Sequence, residues 1–224
     1  MCWHYRSSVG LMLWHNSHSF QSSNFAHGSV VEYPRPQMER NEWLCLNGKW
    51  DYIGGKDAPN ALNPAVPISF DHSRESILVP YCPESYLSGI QRKQEINLWY
   101  RKNFELPNHW KGKDIILHFG AVDHDATIFV NGRKAGTHSG GYDSFWINIT
   151  EFLKAGPNNI VVAVHDKNDG KYPSGKNGPR GDYTFSSGIW QTVWMEPVSK
   201  NHIQGIKLLP QVAEKQLKIQ VTST

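Results

Sequence analysis

The chain has little that could staple it together. Its 224 residues include three cysteines, Cys2, Cys45 and Cys82, with no CxxC pair and no Cys/His spacing. That excludes a disulfide scaffold and a structural zinc site. Long apolar runs are also missing: the longest near the start, Val9-Gly10-Leu11-Met12-Leu13-Trp14, is followed at once by His15 and Asn16. A bilayer span needs about 20 apolar residues and a signal-peptide core roughly 7–15, so the run reads as neither, and no membrane partner is expected. Charge of one sign is not in excess, with 23 Lys plus Arg against 20 Asp plus Glu. A net +3 on this size gives no surface for nucleic acid. Helical signal is nearly absent. It is confined to Thr150–Ala155, where Thr150 can cap the start and Gly156-Pro157 stops the segment.

Aromatic and turn residues are plentiful: 9 Trp, 9 Tyr and 9 Phe beside 19 Gly and 13 Pro. This mixture suits an all-β fold. Aromatic faces also stack on sugar rings, although tryptophan in a sandwich belongs mainly to the core. Residues 1–37 carry no periodicity, and four irregularly spaced histidines (His4, His15, His18, His27) read as a solvated tail closed by Pro34 and Pro36. From Trp43 onward strand follows strand. Asn47-Gly48 and Asn131-Gly132 are tight-turn signals, residues 54–76 read as loop, and Asn159–His165 is a continuous buried run. Strands at this spacing with almost no helix between them predict a two-sheet sandwich or jelly roll over 38–199 and argue against an alternating α/β barrel. In Gly188–Glu196, Trp190 and Trp194 fall on one side, with Ile189, Val193 and Met195 on the other. The pattern predicts one strand buried on both faces. Residues 200–224 give two further strands, Ile203–Leu209 and Gln216–Val221, separated by Pro210. They read as the opening of a second β-domain.

Several motifs imitate function. Gly170–Lys176 has the letters of a phosphate loop, but Asn177 replaces the hydroxyl residue and Pro179 blocks the helix that should follow. Arg180-Gly181-Asp182 spells an adhesion tripeptide too short to carry weight. Asp123-His124-Asp125 puts two carboxylates on one face of an extended segment, yet no third ligand is in sight, so a turn between strands is expected. Asn148-Ile149-Thr150 is a glycosylation sequon, informative only in a secreted protein. Asn41-Glu42 imitates a glycosidase acid/base but precedes the first strand instead of ending a barrel strand. No carboxylate pair and no nucleophile elbow is nominated, so no catalytic residue is assigned.

Across residues 38–199 the sequence resembles the N-terminal sugar-binding domain of glycoside hydrolase family 2, which contains β-galactosidases, β-glucuronidases and β-mannosidases. The likeness is carried in order by Leu46-Asn47-Gly48-Lys49-Trp50, Val79-Pro80, Trp99–Phe104, Leu117–Asp123, Ala126–Gly132, Gly140–Phe145, Ile149–Leu153 and Ser187–Trp194. The resemblance implies a galactose-binding-domain-like jelly roll, then an immunoglobulin-like sandwich of which 200–224 is the incomplete start, then a catalytic (β/α)8 barrel fused C-terminally. It implies a β-glycoside or oligosaccharide as ligand; no cofactor and no metal is expected, since no Cys/His spacing offers a site. With the barrel absent from these residues, the chain is expected to hydrolyse nothing alone. It further implies that Asp182, six residues before Gly188 on the long polar loop 167–187, contacts sugar. A stand-alone carbohydrate-binding module, with exposed Trp or Tyr as its platform, is the alternative.

Overall fold

The computed structural model describes residues 32–71, 75–92, 95–167 and 184–224. In chain order its strands are β1 (Leu44–Cys45), β2 (Gly48–Ile53), β3 (Glu75–Val79), β4 (Asn97–Phe104), β5 (Asp114–Phe119), β6 (Val122–Asp123), β7 (Asp125–Val130), β8 (Arg133–Ser139), β9 (Phe145–Asn148), β10 (Asn158–His165), β11 (Gly188–Ile189), β12 (Val193–Val198), β13 (Ile203–Gln211) and β14 (Gln216–Ser223). The larger sheet runs β3-β2-β4-β10-β7-β8 and the smaller β1-β12-β5-β9. A short β11-β6 pair and a separate β13-β14 hairpin complete the set. The fold is the all-β sandwich that the strand pattern predicts.

Alternation explains the layers. Trp50, Tyr52, Leu98, Tyr100, Ile128, Val130, Ile160 and Val162 point inward from the large sheet. Ile115, Leu117, Phe119, Val193 and Met195 meet them from the small one. Each is almost fully buried. A second apolar cluster lies on the outer face of the large sheet. There Trp99, Phe129, Val161 and Ala163 are roofed by Ala61 and Phe70 from the loop after β2. Trp99 Nε1 donates to the Pro59 carbonyl at 2.8 Å, and the Arg101 guanidinium sits 4.9 Å above the Phe70 ring.

Some local readings change. The segment Gly188–Glu196 is not one strand but two, β11 and β12, with Trp190–Thr192 crossing between sheets. Gly188 permits the crossing: it adopts φ +74, and a Cβ there would collide with the Tyr100 hydroxyl. Trp190 is therefore only half-buried. Thr150 caps nothing; its hydroxyl accepts the Ile115 N–H at 2.8 Å, and the helical fragment is a single 3-10 turn, Thr150–Phe152. Pro210 lies inside β13, opposite Leu217, where a two-stranded ribbon leaves its nitrogen on an open edge. β3 occupies the end of the stretch read as loop. Tyr33, placed by the sequence in the tail, is 9% exposed and packs edge-on against Trp43 at 5.6 Å.

Candidate functional site

The outer face of the small sheet is unlike its counterpart. Register sets Trp194 of β12 opposite His118 of β5, and His118 opposite Trp146 of β9. Three ring systems thus form a row across adjacent strands. His118 and Trp194 stack nearly parallel, centroids 4.7 Å apart. One step along, Glu196 and Ile116 make the next row, which brings the Glu196 carboxylate to 3.0 Å from His118 Nε2.

Glu196 is buried, and the segment Tyr33–Arg40 folds across the sheet to meet it. Tyr33 donates its hydroxyl to Glu196, and Arg35 Nη2 donates at 2.7 Å. Arg40 Nε approaches the same carboxylate at 3.1 Å as a charge contact, while its Nη2 donates to the Ile203 carbonyl at 2.8 Å. Burial alone would raise the Glu196 carboxyl; hydrogen bonds from His118 and Tyr33 and the Arg35 charge outweigh it and hold the group at about 2. Burial pushes the His118 imidazole down, against the opposing pull of Glu196, so the ring is neutral at pH 7 and its Nε2 proton is the one donated. Two guanidiniums thus face one carboxylate, a local excess of one positive charge.

Beside this cluster the sheet opens into a groove of about 510 Å3. Among the described residues its aromatic lining is His118, Phe145, Trp146, Trp190 and Trp194, and Pro34, Arg35, Ser144, Gln191 and Thr192 line it too. Gly120 is tightly overlaid: a Cβ there would stand 2.7 Å from the Gln191 Cβ. Trp190 is held by its Nε1 donating to the Gly141 carbonyl at 2.8 Å and by the Tyr142 ring edge-on at 6.3 Å. Trp146 is 46% exposed. The groove can offer flat apolar faces beside hydrogen-bonding groups and a cation.

Asp182 lies outside the described residues, as do Gly170–Lys176 and the Arg180-Gly181-Asp182 tripeptide. Asp123 and Asp125 fall on β6 and β7, either side of the expected turn; Asp125 accepts from Ser139 Oγ at 2.5 Å. No cluster of three metal-capable side chains occurs among the described residues. Nor is any helix among them long and apolar enough to cross a membrane. The Asn148 side chain bonds Thr150 N and Oγ1. Sequence reasoning missed His118, Trp146, Glu196, Arg35 and Arg40. The outward positions of DIILHF, FWIN and VWMEPV carried a signal: polar and aromatic residues alternate there with aliphatic ones.

Comparison with known proteins places this sandwich. The sugar-binding domain of the family 2 glycosyl hydrolases matches residues 48–197. A β-galactosidase from Thermoanaerobacter pseudethanolicus is 32% identical over 191 residues, 81% of this chain and 24% of that protein. A putative β-glucuronidase from Formosa agariphila is 33% identical over 186 residues, 79% of this chain and 21% of that protein. Among solved structures, Bacteroides uniformis β-glucuronidase 2, covalently bound to cyclophellitol-6-carboxylate aziridine, superposes with a TM-score of 0.61 at 30% identity. That match covers 80% of this chain and 22% of the other. The chain spans about a fifth to a quarter of the length of these relatives.

Proposed function

The chain belongs to the sugar-binding domain family of the family 2 glycosyl hydrolases, and we propose that it serves as the amino-terminal sandwich beside a (β/α)8 barrel acting on a β-glycoside. The supporting observation is coverage: the sugar-binding domain alone takes up residues 48–197 of 224. In this reading 38–199 is the jelly roll and 200–224 opens an immunoglobulin-like sandwich. The hairpin suits that role. Its register gathers Ile206, Leu208, Pro210, Leu217, Ile219 and Val221 on one face, and Lys207, Leu209, Lys218 and Gln220 on the other. Such an apolar face is half of an inter-sheet core. Asp182 is assigned as a sugar contact on the loop entering β11.

Hydrolysis of a glycoside needs two carboxyl groups held about 5–10 Å apart on a rigid frame, and the barrel would supply them. The isolated chain is therefore expected to turn over none of nitrophenyl β-galactoside, β-glucuronide or β-mannoside. Turnover that co-purifies with the chain through successive columns would overturn this assignment.

A further inference from the structure

We infer that the groove walled by His118, Trp146, Trp190 and Trp194 is a binding subsite for a sugar ring bearing an anionic substituent, a carboxylate or a sulfate. The inference rests on the reading of the sandwich as a sugar-binding domain and adds the place and the chemical class.

Size comes first. A groove of about 510 Å3 falls within the ~300–1,000 Å3 of small-molecule sites. Its walls come next. Pyranose rings present C–H faces that pack on indole, and Trp146 offers close to half its surface to solvent at the groove. Ser144, Gln191 and Thr192 also line it and supply polar groups for ring hydroxyls. Trp194 lines the groove while itself 3% exposed, so its ring is a fixed wall.

Charge selects the class. Arg35 reaches the groove, and no acidic side chain lines it among the described residues. The arginine is not closed off: Nη2 serves Glu196 and Tyr33, and the side chain remains 28% exposed. With Arg40 also facing Glu196, the single carboxylate cannot neutralise both cations. A neutral sugar would leave that excess positive charge unanswered. An anionic one would gain a charge-assisted hydrogen bond, roughly twice as strong as a neutral one.

The test uses the full chain labelled with nitrogen-15, whose indole N–H signals report each tryptophan separately. Methyl β-glucuronide, glucose 6-sulfate and methyl β-glucoside are titrated in parallel. The signals of Trp146, Trp190 and Trp194 should move, and at least one anionic sugar should bind about 10-fold or more tighter than the glucoside. The stronger of the two anions distinguishes carboxylate from sulfate. Arg35→Gln should erase the difference between charged and neutral sugars. Trp146→Ala alters an exposed ring and leaves the core intact; it should weaken all three about 5–10-fold. Equal affinity for charged and neutral sugars in the unaltered chain overturns the anionic assignment. Binding that survives Trp146→Ala, or that moves only the signals of Trp50, Trp99 or Trp110, overturns the groove. Neither failure touches the predicted lack of turnover, which is read separately.

Discussion

The two outer faces of the sandwich are covered by different physics. On the large sheet, the loop after β2 lays Ala61 and Phe70 on Trp99, Phe129 and Val161, and these side chains are buried. On the small sheet, Tyr33–Arg40 is fastened to Glu196 by hydrogen bonds and charge. Apolar contact is non-directional and improves with every square ångström removed from water, so a loop held that way spreads and seals. Ionic fastening is local and directional. It pins a segment at one point and leaves the neighbouring rings, Trp146 and Trp190, open to a ligand.

The first way to break this contrast is Trp99→Ala, expected to cost about 3–5 kcal/mol in urea unfolding, because a large side chain is lost and the Pro59 carbonyl loses its donor. A loss under about 1 kcal/mol would mean that the roof loop contributes no more than a surface segment.

Next is Glu196→Gln, which leaves two guanidiniums without their counter-charge. A cost of roughly 2–3 kcal/mol is expected, below the figure for fully buried pairs because Arg35 and Arg40 remain 28% and 24% exposed. The sign with pH follows from both shifts. Glu196 and His118 are held below their ordinary values in the fold, so the unfolded chain binds more protons than the folded one as acid is added. The His118 contribution is complete above 6.5 and declines below it. The Glu196 contribution is complete above 4.5 and is lost as pH falls to about 2. Unfolding free energy measured against pH should therefore fall through both ranges, and Glu196→Gln should flatten the lower one. A variant with the acid limb unchanged would show that Glu196 is not the anchor.

The smallest effect concerns the hairpin. Deleting residues 201–224 removes the exposed Arg40–Ile203 bond, so the cost should stay within about 1 kcal/mol. A larger cost in urea unfolding would make the hairpin part of what fastens Tyr33–Arg40 to the small sheet.

Much of this was legible because strands announce themselves locally. The buried run Asn159–His165 lies within one residue of β10, and the Asn131-Gly132 turn joins β7 to β8, since apolar runs and turn residues act over a few positions. The errors arose where distant parts decide. Gln191-Thr192 look like ordinary strand residues, yet Gly188 against Tyr100 turns the chain from one sheet to another there. Glu196 announced itself as a charge in an apolar run. Two of its partners, Tyr33 and Arg35, lie 163 and 161 positions upstream, in a segment whose composition resembles a solvated tail. Nothing in either segment names the other. Asp182 owed its assignment to resemblance alone.

The bond between Tyr33 and Glu196 spans 163 positions. Ribosomes add about 5–20 residues each second, so roughly ten to thirty seconds separate the appearance of one partner from the other. During that interval Tyr33, Arg35 and Arg40 have no anion to hold, and the aromatic row is incomplete until Trp194 has been added. The large sheet, which contains no part of β12, can assemble earlier, since its last strand in the chain, β10, ends at His165. The groove is thus among the last features to form as the chain is made, and a nascent chain halted before β12 would carry a nearly complete sandwich half with no binding face.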